Sequence, residues 1–490
     1  METANQTETT IILFGATGDL AVRKLYPALY QLYKKQNDVK RFAVIGTGRR
    51  TYDHETYREV VRNSIKAKET EANDFLKRFF FYSIDVEDVE AYKGLDELTT
   101  QVDKDFNLSG NRMFYLALAP NFFGTVTTYL KESGLTNTSG WKRLVIEKPF
   151  GHNLTSAQKL NEEISHVFDE QEIYRIDHYL GKEMVQNIQV LRFANPLFES
   201  IWNNRYISNI QITSSETLGV GERAGYYDRT GALMDMVQNH ILQMIALTAM
   251  EPPSRLETED IRDEKVKVFR SIRPVTTTSV KEDIIKAQYK SGILANGEHV
   301  RGYQDEDNIQ ENSQTDTFIA AKIYIDNFRW AGVPFYIRTG KRLKAKSTQI
   351  IIQFKNAPLN PYLNQQPNRL IIHVQPDEGL SLILNAKKVG ESQGTTPIKL
   401  DFSHNFINEP GTPDAYERLI HDCTHGDSTN FTRWDEVALS WTYVDSIIKA
   451  WGETNVPLDY YASGTMGPES ADQLLEKDHF HWWPITTFEN

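Results

Sequence analysis

At 490 residues the chain is longer than the ~250–300 at which a single core stops growing, so two domains are expected. A composition of 40% hydrophobic and 24% charged residues, with 24 Phe, 23 Tyr and 8 Trp, is that of a folded globular protein and excludes disordered, collagenous and coiled-coil chains. Fifty-four Lys plus Arg against 66 Asp plus Glu leave a net charge of -12, ill suited to a nucleic acid or an anionic membrane, so any phosphate site must be local.

The one cysteine, Cys423, excludes an internal disulfide framework and Cys-based zinc or iron–sulfur sites, and fits a reducing compartment. The 12 His residues show no ligand spacing with Cys or acids, so no metal is implied. The first ten residues lack the basic and apolar regions of a signal peptide. The longest apolar run, 240–250, falls short of the ~20 residues of a membrane span. A cytoplasmic protein is expected.

Residues 1–180 alternate apolar runs with amphipathic stretches, the signature of βαβ units and a parallel sheet, which predicts a Rossmann-like dinucleotide-binding domain. Strands are predicted at 10–14, 41–46, 79–86, 112–119, 143–147 and 174–177. The first runs into Gly15-Ala-Thr17-Gly18-Asp19-Leu20-Ala21, a glycine turn opening a helix, where backbone N–H groups can approach a pyrophosphate at the positive helix end. Its Gly-x-x-Gly-x-x-Ala pattern departs from the commoner Gly-x-Gly-x-x-Gly, and a plain strand-to-helix turn is the competing reading. Pro27 predicts a kink or a late helix start. The second strand ends in Gly48-Arg49-Arg50 with no acid before Asp53, which favours the 2′-phosphate of NADP over the free ribose hydroxyl of NAD; a solvated basic turn has the same appearance. Asp53 predicts an N-cap for a helix burying Tyr57, Val60 and Val61, and Asn121 one for the helix 122–130.

Residues 181–490 change texture. Strands predicted at 208–217, 317–328, 335–339, 348–354, 370–374, 380–386 and 398–402, with helices at 231–246, 413–425 and 434–451, make a larger β+α domain with a mainly antiparallel sheet. The polar stretch 281–315 is expected to be a surface excursion.

Arg175-Ile-Asp177-His178-Tyr179-Leu-Gly181-Lys182-Glu183 concentrates an acid, an imidazole, a phenol and an ammonium after a strand, an apt anion-binding and proton-transfer site. This segment resembles the signature of the glucose-6-phosphate dehydrogenase family. Glu147-Lys148-Pro149-Phe150-Gly151, Arg223-Ala-Gly225-Tyr-Tyr227, Gly231-Ala-Leu-Met-Asp235-Met-Val-Gln238-Asn239-His240, Val333-Pro-Phe335-Tyr-Ile-Arg338-Thr-Gly340-Lys341-Arg342, Tyr416-Glu-Arg-Leu-Ile420 and Met466-Gly-Pro468 resemble the family in order, across nearly the whole chain. Another sugar oxidoreductase, of the glucose–fructose oxidoreductase type, shares the Glu-Lys-Pro motif but not the Asp177-His178-Tyr179 cluster. A catalytically silent NADP-binding regulator is the reading from another class, and the presence of His240 and Asp177 argues against it.

The resemblance implies oxidation of β-D-glucose 6-phosphate at C1 to 6-phosphoglucono-δ-lactone, the first step of the oxidative pentose phosphate pathway, with NADP as coenzyme and NAD also accepted by some members. It makes His240 the general base and Asp177 its orienting carboxylate. It gives the substrate to Lys148, His178, Tyr179, Lys182, Glu216, Asp235, Lys341 and Lys346, the last standing in the weaker run Leu343-Lys-Ala-Lys-Ser. The coenzyme falls to Gly15, Thr17, Gly18, Asp19, Leu20, Arg49, Asp85, Val86, Glu147 and Lys148. It also implies a cis bond before Pro149 and a homodimer or homotetramer. On α-helical spacing Asp235, Gln238 and Asn239 share a face and His240 lies about 100° beyond Asn239, so spacing does not bring Asp235 and His240 together.

Overall fold

The computed structural model describes residues 8–35, 41–67, 69–294, 296–359, 361–403 and 414–488. Most of the N-terminal stretch read for a leader, residue 295 of the polar excursion and Pro413 of the predicted helix 413–425 lie outside them. The chain divides into two compact units: Met1–Gly181 with Arg255–Arg262 and Pro413–Ala438, and Lys182–Ser254 with Asp263–Thr412 and Leu439–Asn490.

In the first unit the six predicted strands form, as β1 (Glu8–Phe14), β2 (Arg41–Gly48), β3 (Phe79–Ser83), β4 (Arg112–Leu116), β5 (Lys142–Ile146) and β6 (Ile173–Ile176). They pair in parallel in the order β6-β5-β4-β1-β2-β3. Their near-continuous apolar runs follow from cover on both faces. Ile11 and Leu13 pack into one buried cluster and Ile12 and Phe14 into the other. Strand order reverses between β4 and β1, where open α/β sheets leave a crevice at the strands' carboxyl ends.

The helices follow the local chemistry. Asp53 accepts the Thr56 N–H at 2.7 Å and caps His54–Ile65, which buries Tyr57 and Val61. Pro27 marks no late start: the helical run is continuous over 19–35, and a π-helical turn, Ala21–Leu25, in which the Tyr26 N–H reaches back to the Ala21 carbonyl, passes directly into Tyr26–Lys35. The cap expected at Asn121 does not form. A 3₁₀ turn, Pro120–Phe122, leads into Phe123–Glu132, and Phe122 occupies the cap position without a side-chain bond.

Residues 255–262 and 413–438 join the first unit, not the second domain to which their sequence position assigned them. Phe431–Thr432 adds an antiparallel edge strand to β6, and Leu419, Ile420, Cys423 and Phe431 enter the cluster of Tyr174 and Ile176. The Arg143 guanidinium donates to the Cys423 and Thr424 carbonyls at 2.6 and 2.9 Å. An apolar helical stripe specifies burial but not which sheet it meets.

The second unit is built on one nine-stranded sheet. From one edge to the other run Thr395–Ser403, Gly379–Lys387, Arg369–Gln375, Ser347–Phe354, Ile207–Ser215, Pro334–Gly340, Phe318–Tyr324, Ile284–Lys290 and Asp459–Ala462. Pro334–Gly340 is parallel to Ile207–Ser215, and Asp459–Ala462 to Ile284–Lys290; the other pairings are antiparallel. The polar excursion is therefore only part loop: Ile284–Lys290 inside it is a sheet strand, with Ile284, Ala287 and Tyr289 buried. Its charged neighbours concealed that alternation. The apolar run at 240–250 is the wholly buried helix Leu242–Ala249. Among the described residues no helix is long and apolar enough to cross a membrane.

Candidate active site

The first unit carries the dinucleotide features. After β1 the backbone turns at Gly15, φ 82°, and the Gly15 and Ala16 N–H groups bond the Thr47 carbonyl at 3.2 and 3.0 Å. A Cβ on Gly15 would lie 2.3 Å from the Ala117 carbonyl oxygen, so strands and turn close around a backbone with no room for a side chain. Gly18 N–H reaches the Gly15 carbonyl at 2.9 Å, and the helical turn begins at Ala21 with Leu20 at the cap. Thr17 and Leu20 are half-buried; Gly18 and Asp19 are exposed, and Asp19 pairs with Arg23 at 3.3 Å.

The other expected coenzyme residues line the neighbouring strand ends. Arg49 is exposed and makes no hydrogen bond or ion pair among the described residues, whereas Arg50 donates to the Tyr52 hydroxyl at 3.1 Å. Ile84 N–H bonds the Gly48 carbonyl at 2.9 Å, which puts Asp85 and Val86 beside the end of β2.

Glu147 follows β5, and the bond from Lys148 to Pro149 is cis, as the resemblance implied. Tyr115 donates to Glu147 Oε1 at 2.6 Å, and Tyr416 is a second hydrogen-bond partner. Desolvation outweighs those bonds and the adjacent Lys148, and pushes the Glu147 carboxyl up to about 7. After β6, buried Asp177 accepts the Tyr179 N–H at 3.0 Å, turning the chain so that His178 meets Tyr179 edge-on at 5.1 Å. Tyr416 stacks near-parallel to His178, ring centres 6.4 Å apart. It thus links Glu147 to His178. Sequence reasoning gave Tyr416 a motif but no role, and Tyr115 had no signal at all.

The second unit carries the other expected substrate residues, several of them at its strand ends. Glu216 N–H bonds the Gly340 carbonyl at 3.0 Å and Leu343 N–H the Glu216 carbonyl at 2.8 Å, and this pairing brings Lys341 into an ion pair with Glu216. The Lys341 ammonium lies 5.3 Å from the Tyr227 ring, whose phenol burial and the nearby Asp235 hold well above its usual range. Lys182 donates to Gln375 Oε1 at 2.7 Å. Lys346 is exposed just before Ser347–Phe354, and no hydrogen bond or ion pair among the described residues joins it to Glu216 or Lys341.

Leu233–Ile241, which carries Asp235 and His240, is a π-helix rather than an α-helix, and both side chains are buried. In that form each N–H reaches five residues back instead of four, so residues five apart turn toward one side. The α-helical spacing that separated Asp235 from His240 does not apply. Gln238 faces elsewhere, donating to Ser440 Oγ at 2.9 Å.

Two family models match consecutive parts of the chain: the glucose-6-phosphate dehydrogenase NAD binding domain over residues 12–187 and the C-terminal domain over 189–483. The chain belongs to the glucose-6-phosphate dehydrogenase family. It is 55% identical to glucose-6-phosphate 1-dehydrogenase of Bacillus subtilis, over 99% of this chain and 100% of that one. It is 41% identical to the Leuconostoc mesenteroides enzyme, over 98% and 99%. A solved glucose-6-phosphate dehydrogenase in complex with its substrate glucose 6-phosphate superposes with TM-score 0.90 at 34% identity, covering 99% and 100% of the two chains.

For this glucose-6-phosphate dehydrogenase family member the raised carboxyl of Glu147 has a consequence for stability. Its folded value, about 7, lies above the ordinary 4.5, so its favourable contribution is complete below 4.5 and is lost as pH rises through 7. Glu147→Gln, which cannot ionise, is expected to raise the melting temperature at pH 8 and not at pH 5, by an amount equivalent to about 1–3 kcal/mol. Melting curves at the two pH values check this; equal shifts at both would refute the assignment.

Proposed function

We propose that the protein is a glucose-6-phosphate 1-dehydrogenase, oxidising β-D-glucose 6-phosphate at C1 to 6-phosphoglucono-δ-lactone as the first step of the oxidative pentose phosphate pathway. The observation that carries this reading is the match to both family models, over residues 12–187 and 189–483, which agrees with the burial of Asp235 and His240 in the unit that also pairs Glu216 with Lys341. His240 removes the C1 hydroxyl proton; an imidazole with an ordinary value near 6.5 can be neutral before that step and charged after it. Asp177 orients the imidazole and stabilises its cation. Glu216 and Asp235 accept hydrogen bonds from the sugar hydroxyls. His178, Tyr179 and Lys182 hold the phosphate, with Lys341 and Lys346 also reaching the substrate.

The glycine turn suits a dinucleotide: Gly15, closed against the Ala117 carbonyl, makes the tight turn after β1, and exposed Gly18 carries no side chain to keep a pyrophosphate from the backbone. Bound NADP supplies a hydride acceptor at C4 of its nicotinamide. Gly15, Thr17, Gly18, Asp19 and Leu20 line the pyrophosphate turn, and Asp85 and Val86 the neighbouring strand end. Arg49 takes the 2′-phosphate and can stack on adenine without it, so NADP is preferred and NAD remains usable. Glu147 contacts the nicotinamide amide and Lys148 bridges substrate and coenzyme.

A homodimer or homotetramer fits the outer edge of the large sheet. There Leu380, Leu382 and Leu384 stand directly opposite Phe402, Leu400 and Ile398, and the last three are exposed. The net charge of -12 and the lone buried cysteine fit a cytoplasmic enzyme with no nucleic-acid or membrane partner.

The test is absorbance at 340 nm with glucose 6-phosphate and NADP or NAD in parallel, and glucose as control. Phosphate-dependent reduction, with the larger kcat/KM for NADP, is expected. No reduction with either coenzyme from folded protein would leave a silent regulator or another sugar as the reading.

A further inference from the structure

A buried carboxylate that no motif marks lies two residues before the strand Phe318–Tyr324. Asp316 is 8% exposed. Its Oδ2 accepts the Leu233 N–H at 2.8 Å, and its main-chain carbonyl accepts the Ala232 N–H at 2.8 Å. Both bonds fall at the start of Leu233–Ile241, where the helix has N–H groups without intrahelical partners and a positive end that favours an anionic acceptor.

The approach is close. At Gly231 the backbone has φ 62° and ψ 179°, a conformation that L side chains rarely adopt, and a Cβ there would lie 2.6 Å from Asp316 Oδ1. The carboxylate fills the space the glycine leaves. Burial pushes Asp316 up to about 6 despite the backbone bonds, so the acid is kept where desolvating it is costly.

The next residue ties in the other segment. The Thr317 carbonyl accepts the Lys341 N–H at 3.0 Å, and the Tyr461 hydroxyl donates to the Lys341 carbonyl at 2.7 Å while sharing a 3.0 Å bond with Thr317 Oγ1. Two consecutive residues thus hold the two pieces of backbone that carry Asp235 and His240 on one side and Lys341, with its partner Glu216, on the other.

We propose that Asp316 is a positioning residue for sugar oxidation: its carboxylate anchors the first turn of Leu233–Ile241 so that Asp235 and His240 keep their place relative to the Glu216–Lys341 pair. It acts through the backbone and touches no substrate. The proposal rests on the roles given above to Asp235 and His240.

Full-length Asp316→Ala, Asp316→Asn and His240→Asn, compared by steady-state kinetics and thermal melts, test it. Misplacing reacting groups by a fraction of an ångström to 1 Å costs up to about a hundredfold. Asp316→Ala is therefore expected to lower kcat/KM for glucose 6-phosphate by about ten- to a hundredfold, with the NADP KM within about twofold of wild type. Asp316→Asn keeps an acceptor oxygen but not the charge, and is expected to lose only about three- to tenfold, again without change in the NADP KM. A purely structural role would lower the melting temperature and spread any kinetic loss over both substrates. That pattern overturns the proposal, as does a wild-type kcat/KM in folded Asp316→Asn, which decides the matter if the alanine variant does not fold. Wild-type turnover in His240→Asn would overturn instead the assignment on which the proposal depends, and so is distinguishable from a failure of Asp316 itself.

Discussion

His240→Asn is expected to reduce kcat by ~10²–10⁴-fold while leaving the affinity for glucose 6-phosphate within a few-fold, because the amide fills much of the imidazole's space but cannot take up a proton at neutral pH. The side chain is buried in a unit whose other expected sugar ligands, Asp235, Glu216 and Lys341, are unaltered by the change. Binding energy should therefore survive and only the proton transfer be lost. Steady-state kinetics with a direct binding measurement separate the two. Normal turnover with much weakened sugar binding would show that His240 is a binding group and that the base lies elsewhere.

Gly15→Ala should be nearly as damaging, by a different route. The added Cβ would stand 2.3 Å from the Ala117 carbonyl oxygen and 3.3 Å from the Leu118 side chain, at φ 82°. That oxygen belongs to backbone one residue beyond β4, tied to β1 by the Ala117 N–H bond to the Phe14 carbonyl at 3.0 Å, and it cannot move aside as a flexible side chain does, so the turn itself must shift. A non-glycine residue in such a conformation costs about 1–3 kcal/mol, and the steric clash adds to it. The expected result is a KM at least about tenfold higher for NADP and for NAD alike, a lower melting temperature, and a KM for glucose 6-phosphate changed much less. A loss confined to the sugar would refute the assignment of this turn to the coenzyme. A variant that binds both coenzymes normally would show that the turn is only a strand-to-helix connection.

Most strands of both units were legible because burial imposes short-range patterns that a sequence displays: near-continuous apolar runs where a parallel sheet is covered on both faces, alternation where it is not. Asp53 was readable as a cap because capping is a contact over three residues. The glycine turn, the Glu-Lys-Pro segment and the Asp177-His178-Tyr179 cluster were readable because their chemistry is contiguous. Sequence also assigned the family, since its motifs occur in order along the chain.

Tertiary structure decided what depends on distant partners. That 413–438 belongs with the nucleotide-binding sheet follows from pairing Phe431–Thr432 with β6, an interaction between residues more than two hundred positions apart. The strand Ile284–Lys290 was hidden among charges, and its pairing with Phe318–Tyr324 on one side and Asp459–Ala462 on the other defines it. The helix carrying Asp235 and His240 was read with α-helical geometry, and it is wound as a π-helix, to which that spacing does not apply. The place of Tyr416 between Glu147 and His178, and of Asp316 against Gly231, leaves no local trace, because it lies in which backbone or ring they meet. Periodicity and contiguous motifs are properties of the chain; hydrogen bonds and desolvation between distant segments arise only when it has folded.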